Sequence, residues 1–561
     1  RLETVDTAAG RVEIGPIAPW TPRAMPFPQI QVLGNGRLSS WIGESGGGTL
    51  RWQKQALTRF SPDATRDAEG LWLYLQDVES GALWSATRQP TGAVPDEHHV
   101  QFQPHLAEFH RRDQGIDLRM EVCVGSGEDI EMRRVTLVNE GAGPRRLRLT
   151  SYAEIVLAPP LEDERHPAFS KLFTGGEFVR QIGGIVFKRR PRKPGEAYPS
   201  LAQFVIDGDG PITGLRYEVD RRAFIGRGRG LDDPLGASRP LNGRSGFTLD
   251  PISALQWEVA MEPGERRVMC LVTAVAASAG NVLEMAARHA TLASMDWIVG
   301  DAALESARTI ARGKLRAADL PYVQALGSLM IYPHGALRAK PERIRANSLG
   351  QSNLWGLALS GDYPILLMRV NGDWKGLLAQ VASAHELWRR AGLPVDLVIL
   401  QNSGSAYIEP LREALLELLR EMGARDMLGR NGGLHLLFAD QGGEEQTRML
   451  EAMAWAILDD GCGPLDRQLA RAMTSGALPP PILPTFPRLP VVADKTAEGE
   501  KLSFFNQYGG FARDASEYVI RLAPGQSTPA PWTNILANEA FGTLVTESGG
   551  GFTWSINSGE H

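Results

Sequence analysis

Apolar and polar residues alternate along several segments in the first half of the chain. The clearest runs are Leu118, Met120, Val122 and Val124; Leu147, Leu149, Ala153, Ile155 and Leu157; and Leu255, Trp257, Val259 and Met261. Such a period of two predicts β-strands that pack one face on a core. Turn residues such as Pro263-Gly264 separate the runs. Residues 1–280 are therefore predicted to form a large antiparallel β-sandwich.

The hydrophobic period changes to that of a helix after this region. Asn281 precedes Val282-Leu283-Glu284, and a short polar residue followed three positions later by Glu is typical of a helix N-terminus. We expect Asn281 to cap the first of several linker helices, which together occupy residues 281–345.

Residues 346–472 combine short apolar runs with amphipathic segments. Runs at 364–370, 395–400 and 434–438 are each followed by a helical pattern, the last of which includes Met449, Met453 and Ile457. Three strand–helix repeats predict a small parallel α/β domain.

Polar residues follow the predicted strands of this α/β domain. They are Asn371-Gly372-Asp373, Gln401-Asn402-Ser403 and Asp440-Gln441. Open parallel sheets bind ligands at the carboxyl ends of their strands, which makes these residues a candidate site. Polar residues are also ordinary wherever a strand enters a loop, so both interpretations stay open.

The end of the chain repeats its beginning. Asn35, Glu44-Ser45-Gly46-Gly47-Gly48 and Trp52 recur as Asn538, Glu547-Ser548-Gly549-Gly550-Gly551 and Trp554. The Asn and the glycine-rich block recur at one offset, whereas the second Trp arrives one residue early. We therefore predict that residues 501–561 start a second, truncated β-sandwich. A proline-rich linker over residues 473–500 is predicted to join it to the α/β domain.

The composition narrows the possible partners. Of the 561 residues, 43% are hydrophobic and 22% are charged, with a formal net charge of −6, as in an ordinary globular protein. This charge argues against nucleic acid, and the basic run at 188–193 is interpreted as a solvated loop because no aromatic residues interleave it. Three widely spaced cysteines fit a reducing compartment. No apolar stretch is long enough to span a bilayer, and no signal peptide is evident.

Three motifs resemble reactive or metal sites but lack the required context. Gly43-Glu44-Ser45-Gly46-Gly47 matches a serine nucleophile elbow, yet a strand pattern follows where a helix is needed, which favours a glycine-rich hairpin. The segment 226–230 lacks the third glycine of a dinucleotide fingerprint. Four histidines cluster without the spacing of zinc ligands, so we expect no metal: His98, His99, His105 and His110.

One short stretch combines aromatic and charged residues in a way that suits sugar recognition. It contains Trp52, Arg59, Arg66 and Asp67. Flat aromatic faces pack on the C–H faces of sugars, while guanidinium groups and carboxylates bind hydroxyl pairs. These four residues are the candidate carbohydrate-binding set. An internal ion pair for the charged residues is the alternative, with nearby Trp72 and Trp84 in the core.

An ordered series of short motifs runs through the chain. It includes Leu33-Gly34-Asn35-Gly36-Arg37, Arg51-Trp52, Leu57-Thr58-Arg59, Arg66-Asp67, Tyr74-Leu75-Gln76-Asp77, Ser151-Tyr152-Ala153-Glu154 and His166-Pro167-Ala168-Phe169-Ser170. As a set these motifs resemble the N-terminal sandwich, or supersandwich, of glycoside hydrolase family 94. Segments 350–355 and 504–511 further resemble the region of cyclic β-1,2-glucan synthases that contains two such sandwiches.

The resemblance implies that the chemistry lies outside this chain. Family phosphorylases use an Asp general acid and inorganic phosphate in an (α/α)₆ barrel, which does not fit within this sequence. We therefore carry over no catalytic residue and expect no cofactor, with inorganic phosphate only as the co-substrate of a full enzyme. The implied partners are a β-glucan oligosaccharide, the C-terminal barrel and N-terminal membrane glycosyltransferase domains of the same protein, and a second copy in a homodimer.

Three functions remain open at this point. The favoured one is a carbohydrate-engaging part of a cyclic β-1,2-glucan synthase, acting in glucan synthesis and chain-length control on the cytoplasmic side of the bacterial inner membrane. The alternatives are a complete family 94 disaccharide or oligosaccharide phosphorylase and a purely structural scaffold. A scaffold predicts that Trp52 is buried and that Arg59 and Arg66 pair within the protein.

Overall fold

The computed structural model describes residues 3–7, 10–208, 212, 214–401, 408–474 and 501–557. These residues separate into two compact units. The first unit takes in residues 1–225 and 231–476, and the second takes in residues 226–230 and 477–561. Almost all of the predicted proline-rich linker at 473–500 lies outside the described residues.

The strands of the first part of the chain follow the predicted alternation. They are β1 (Glu3–Thr7), β2 (Gly10–Ile14), β3 (Ile30–Gly34), β4 (Leu38–Gly43), β5 (Gly48–Trp52), β6 (Gln55–Thr58), β7 (Trp72–Asp77), β8 (Leu83–Ser85), β9 (Glu97–Gln103), β10 (Leu106–Asp113), β11 (Ile116–Val124), β12 (Ile130–Asn139), β13 (Arg145–Ala158), β14 (Thr174–Val179), β15 (Gly184–Arg189), β16 (Ser200–Asp207), β17 (Arg216–Asp220), β18 (Gly246–Phe247), β19 (Pro251–Met261) and β20 (Arg266–Ala276).

Two large antiparallel sheets form the sandwich in the described part of this region. One has the strand order β18-β14-β15-β16-β20-β12-β11-β10-β9, and the other has the order β17-β19-β13-β6-β5-β4-β3, with β7 paired to β13 and β8 to β7. A single apolar core contains side chains from both sheets, including Leu33 and Leu149 from one and Phe109 and Val122 from the other. The predicted antiparallel β-sandwich is confirmed.

Short helices decorate the sandwich and longer helices follow it. They are α1 (Pro160–Arg165), α2 (Pro167–Lys171), α3 (Arg221–Ile225), α4 (Leu235–Ser238), α5 (Ala279–Arg288), α6 (Leu292–Arg312), α7 (Leu320–Leu329) and α8 (Pro341–Arg345). The prediction that Asn281 caps the first linker helix is wrong. Ser278 is the cap, because its hydroxyl accepts a hydrogen bond from the backbone N–H of Asn281 at 3.2 Å. Serine caps helices as well as asparagine does, and it occurs one turn earlier here.

A parallel α/β domain follows, as predicted. Its elements are β21 (Ile365–Val370), α9 (Lys375–Ala391), β22 (Asp396–Gln401), α10 (Ile408–Met422), β23 (Leu434–Phe438), α11 (Ala439–Met453), β24 (Ala456–Asp459) and α12 (Leu465–Thr474). The strand order is β23-β22-β21-β24. The assignment of Ile457 to a helix is wrong, since α11 ends at Met453 and Ile457 lies in β24. A short apolar run does not distinguish a strand from a helix.

Helices α7 and α9 dock on strand β3 at the edge of the sandwich. The backbone N–H of Ile30 donates to the Ser328 hydroxyl at 2.9 Å, and Gln324 Nε2 donates to the Ile30 carbonyl at 3.0 Å. At the end of α9, the Ala391 carbonyl accepts a hydrogen bond from the Ser39 hydroxyl at 2.7 Å. Backbone groups of an edge strand are thereby satisfied by the helical part of the same unit.

The second unit contains a meander that matches β3–β4–β5 strand for strand. Its elements are β25 (Gly509–Phe511), β26 (Tyr518–Ile520), β27 (Thr533–Ala537), β28 (Phe541–Thr546) and β29 (Gly551–Ser555). The Asn538 side chain accepts from the backbone N–H of Phe541 at 2.9 Å, as Asn35 does from Leu38 at 2.9 Å. Every described residue of β27 is exposed, whereas most of its counterpart β3 is buried.

The one-residue shift of the tryptophan in the repeat places it on the other face of the sheet. Leu38 and Phe541 occupy the same position in the two meanders. Trp52 lies opposite Leu38, whereas Ser555 lies opposite Phe541. Trp554 lies opposite Gly542 and so occupies the position of Arg51. Successive side chains of a strand point to opposite faces, so Trp52 and Trp554 are not structural equivalents.

The interpretation of residues 188–193 as a solvated loop holds for residues 190–193, which are exposed and follow strand β15, but not for Arg189, which is buried within that strand. Arg189 is 6% exposed, and its guanidinium lies 5.2 Å from the ring centre of Tyr198. The guanidinium of Arg190 lies 3.7 Å from the ring centre of Phe247. Tyr198 follows in the loop after the run, whereas Phe247 is distant in sequence and lies in β18, which pairs with β14 beside β15. Among the described helices, none combines the length and apolar character needed to cross a bilayer.

We expect Gly34→Ala to loosen the docking of α9 on β3. An added Cβ at Gly34 would lie 2.3 Å from the Ala391 carbonyl oxygen, so backbone would have to move. The free energy of unfolding, measured with urea, should fall by about 1–3 kcal/mol. The control is Gly143→Ala, where an added Cβ meets nothing within 4 Å and should change stability by less than about 0.5 kcal/mol. Equal effects of the two substitutions would contradict the close approach.

Candidate functional site

The glycine-rich motif near the N-terminus is the turn of a hairpin. Strands β4 and β5 flank it and pair antiparallel, so no helix follows Ser45 and the arrangement is not a nucleophile elbow. The Ser45 hydroxyl donates a hydrogen bond to Asp67 Oδ1 at 2.7 Å. This bond ties the loop that contains Arg66 and Asp67 to the hairpin turn.

A cleft of about 600 Å³ opens beside this hairpin. Its walls come from the hairpin turn, the loop at 60–69 and the segment at 21–30, and Arg66 and Asp67 are among the lining residues. The Arg66 side chain is 69% exposed and pairs with Asp63 at 3.2 Å. The loop therefore presents a guanidinium and a carboxylate to the cleft.

Partly buried ionisable groups also line the cleft. Burial, with a further contribution from Asp67, raises the pKa of Glu44 above its ordinary value. Burial also raises the pKa of Glu69, which accepts a hydrogen bond from the backbone N–H of Ser61 at 2.6 Å. Burial and the charges of Arg111 and Arg88 lower the pKa of His98. The imidazole therefore favours its neutral form, and these groups can exchange hydrogen bonds with hydroxyls.

Arg59 is the centre of a buried ion-pair network. It forms two hydrogen bonds to Asp163, at 2.8 and 2.9 Å, and one to Glu154 at 2.6 Å. Burial acts to lower the pKa of Arg59, but the bonds and charges of Asp163 and Glu154 outweigh it and leave the pKa raised. Burial likewise acts to raise the pKa of Glu154, which Arg59 and Arg221 nevertheless hold below its ordinary value.

Trp52 also uses its polar atom within the protein. Its indole N–H donates to Asp129 Oδ2 at 2.8 Å, and Arg37 Nε donates to Asp129 Oδ1 at 3.0 Å. The Trp52 side chain is half-buried and packs against the sandwich core. This arrangement holds the end of β5 against the turn before β12.

The structure brings only two of the four candidate sugar-binding residues together. Arg66 and Asp67 line the cleft of about 600 Å³, Arg59 lines a separate cavity of about 260 Å³, and Trp52 lines neither of these two cavities. Glu44 and Glu69 were missed as candidates. Glu44 lies within the repeated glycine-rich block, which was the available signal, whereas nothing in the sequence pattern marks the burial of Glu69.

The other sequence candidates give no assembled site in the described residues. No group of three or more His, Cys, Asp or Glu side chains there could hold a metal ion. At the α/β domain, the Asp460 carboxylate accepts hydrogen bonds from the backbone N–H groups of Asn371 and Gly372 at 2.8 and 2.7 Å. Asn402 and Ser403 lie outside the described residues. A ligand site at these strand ends stays a prediction.

Comparison with protein families accounts for the sandwich. The family model described as the glycosyl hydrolase 94 supersandwich domain matches residues 16–292 and again residues 516–561, more than half of the chain. The chain belongs to glycoside hydrolase family 94. The second matched segment contains β27, β28 and β29, the meander that repeats β3–β4–β5.

The chain spans only part of the length of the relatives that it matches. Cyclic beta-(1,2)-glucan synthase NdvB of Rhizobium meliloti (strain 1021) is 32% identical over 544 residues, which cover 94% of this chain and 19% of NdvB. N,N'-diacetylchitobiose phosphorylase of Vibrio furnissii is 24% identical over 278 residues, or 48% of this chain and 34% of that protein. The solved structure of a bacterial glucoamylase complexed with acarbose has 10% sequence identity and a TM-score of 0.35. The match covers 59% of this chain and 44% of the glucoamylase chain.

Replacing Arg59 with methionine should destabilise the first unit strongly. Arg59→Met leaves the buried carboxylates of Glu154 and Asp163 without their shared cation, which we expect to lower the free energy of unfolding by about 3–5 kcal/mol. The pKa of Glu154 is lower in the folded protein than in the unfolded chain. The stabilisation from its charged carboxylate is therefore complete at pH values above the pKa of the unfolded chain, and it is lost as the pH falls through the pKa of the folded protein. The difference from wild type in urea titrations should therefore shrink on acidification.

Arg66→Met is the matched control for Arg59→Met. The Arg66 side chain is 69% exposed and its pair with Asp63 is on the surface, so the stability change should stay below about 1 kcal/mol. A similar loss of stability for both variants would show that Arg59 is not the centre of the network.

Glu44→Gln should stabilise the protein at neutral pH. The raised pKa means that burial disfavours the charged carboxylate, and this unfavourable contribution appears as pH rises above the unfolded pKa. The free energy of unfolding should exceed that of wild type near neutrality, with the gain disappearing below about pH 4. Glu177→Gln, at an exposed position of β14, is the control and should show no such pH-dependent gain. A gain that grew on acidification would refute the assignment.

Proposed function

We propose that this chain is the carbohydrate-engaging, phosphorylase-like part of a cyclic β-1,2-glucan synthase, acting in glucan synthesis and chain-length control. The alignment with NdvB along 94% of the chain is the observation that carries the proposal. The wider protein would add a membrane glycosyltransferase domain and a catalytic barrel, and would hold this part on the cytoplasmic side of the inner membrane. Inorganic phosphate would act only as a co-substrate of that full enzyme.

The cleft beside the glycine-rich hairpin is the proposed contact with the glucan. Arg66 and Asp67 supply a donor fork and an acceptor, the combination that recognises neighbouring hydroxyls. Phe60 and Tyr332 add aromatic surface to the same cleft. Trp52 and Arg59 are weaker candidates for this role, because their polar atoms already bind Asp129, Glu154 and Asp163.

We expect no phosphorolysis by this chain alone. In the described residues, the longer helices belong to the linker and the α/β domain, and none of them forms a barrel of paired helices. Incubation with linear β-1,2-glucooligosaccharides and inorganic phosphate should release no sugar phosphate. Release of sugar phosphate would favour the alternative of a complete phosphorylase.

A structural scaffold is the second candidate function, and the Arg59 network favours it. Arg59 is fully engaged with Glu154 and Asp163, as a packing role requires. Arg66 instead favours the sugar-contact function, because its ion pair with Asp63 is exposed and both residues belong to the same loop. A binding measurement separates the two functions.

Calorimetric titration of the chain with linear β-1,2-glucooligosaccharides tests the proposed contact. Arg66→Gln and Asp67→Asn should each weaken binding about tenfold, since each removes a hydrogen bond that involves a charged group. Trp52→Phe keeps an aromatic ring but loses the indole N–H that binds Asp129, and it should leave binding nearly unchanged. Absence of binding by the wild-type chain would remove the sugar-contact proposal and leave the scaffold function.

A further inference from the structure

A second cavity lies where the sandwich meets the α/β domain within the first unit. Its volume is about 260 Å³. The sandwich contributes residues of β4, β5 and β6, helix α1 closes one side, and segments before β21 and β24 close the other. Because α7 and α9 are hydrogen-bonded to β3 and β4, these walls are held in a fixed arrangement.

Four aromatic side chains line this cavity. They are Trp41, Phe60, Tyr363 and Trp455. Trp41 is 7% exposed and meets Phe60 edge to face, with 6.0 Å between ring centres. Tyr363 and Trp455 are half-buried, so part of each ring remains available to a ligand. Such surfaces suit the C–H faces of a sugar ring.

Arg51 is the unusual member of the lining. Its guanidinium lies 4.9 Å from the ring centre of Trp41, and among the described residues it has no hydrogen-bond or ion-pair partner. Burial lowers the pKa of Arg51. A cation withdrawn from water without a carboxylate is unfavourable for folding, so packing alone does not account for it. Arg59 in the same cavity shows the contrast, since its donors are occupied by Asp163 and Glu154.

The charges around the cavity favour an uncharged ligand with many hydroxyls over an anion. Glu164 and Asp362 are exposed residues of the lining, where the charge of Glu164 acts on Arg51, and Asp163 and Glu154 pair with Arg59. A phosphate or carboxylate would meet these acidic groups. A polyol instead finds donors in Arg51 and acceptors in the carboxylates.

The size of the cavity limits the ligand to one small ring. Pockets for larger ligands run from about 300 to 1,000 Å³, and this cavity lies below that range. A single sugar unit that is linked on both sides would need room for two neighbours, so only a chain end fits. Phe60 lines both this cavity and the cleft that contains Arg66 and Asp67, so the two cavities are neighbours on the same surface of Phe60 and its loop.

We propose that this cavity binds the terminal pyranose ring of a linear glucan, with Arg51 donating hydrogen bonds to its hydroxyls between the rings of Trp41, Tyr363 and Trp455. The identity of the polymer rests on the proposed function. The site distinguishes linear chains from cyclic ones, because a cyclic glucan has no end to insert.

Titration with linear and cyclic β-1,2-glucans of similar length tests this site. The linear chain should bind and perturb tryptophan fluorescence, and the cyclic one should bind at least about tenfold more weakly. Arg51→Met should weaken binding of the linear chain at least about tenfold without lowering thermal stability, because an unpaired buried charge is removed. Tyr363→Ala should also weaken binding of the linear chain. Arg66→Met, in the neighbouring cleft, is the variant with which the affinities of Arg51→Met and Tyr363→Ala are compared.

The outcomes separate this site from the proposed function. Loss of linear binding in Arg51→Met, with unchanged or higher thermal stability, supports the site. Wild-type affinity in Arg51→Met, or equal affinity for linear and cyclic glucans, overturns it. If the cleft variants Arg66→Gln and Asp67→Asn still lose affinity in that case, the proposed function stands. No binding of either glucan by the wild-type chain overturns both.

Discussion

The docking of helices α7 and α9 on strands β3 and β4 is the contact on which the arrangement of the first unit depends. An edge strand leaves backbone donors and acceptors that must be satisfied. Here the Ile30 backbone binds Ser328 and Gln324, and the absence of a side chain at Gly34 lets α9 approach. The Ile30 backbone binds α7 and the Ser39 hydroxyl binds the end of α9, so both the linker helices and the α/β domain are held at this edge of the sandwich. The cavity around Arg51 has walls from both sides of this contact and exists because of it.

Two arginines in that cavity show how the same side chain serves structure or binding. Arg59 gives its guanidinium to Asp163 and Glu154, and the shared charge offsets the desolvation of all three groups. Arg51 lies over the ring of Trp41, and among the described residues no carboxylate binds its donors. A fold gains little from an unpaired half-buried cation, whereas a ligand that supplies acceptors recovers the lost hydration. The ion-paired Arg59 therefore holds the site together, whereas Arg51, which has no ion pair among the described residues, is available to a ligand.

Much of the fold follows from local sequence periods, whereas the site depends on contacts between distant residues. The alternation at Leu118–Val124 predicts a strand because a period of two exposes one face, and β11 spans it. Ile457 was misassigned because its neighbours continue a helical spacing after the helix has ended. The partners of Arg59 and the aromatic neighbours of Arg190 lie far away in sequence. No local pattern indicates which arginine finds a carboxylate and which does not.

The repeat in the second unit shows whether the meander itself needs a basic residue at the position of Arg51. The meander β27–β28–β29 keeps the strand bounds and the asparagine turn of β3–β4–β5, so the backbone requirements of the two copies are the same. If Arg51 were needed to form this meander, its counterpart would be expected to be basic. The position holds Trp554, which packs over Gly542. This strand position therefore accepts a neutral ring in place of the guanidinium, so formation of the meander does not require the charge of Arg51.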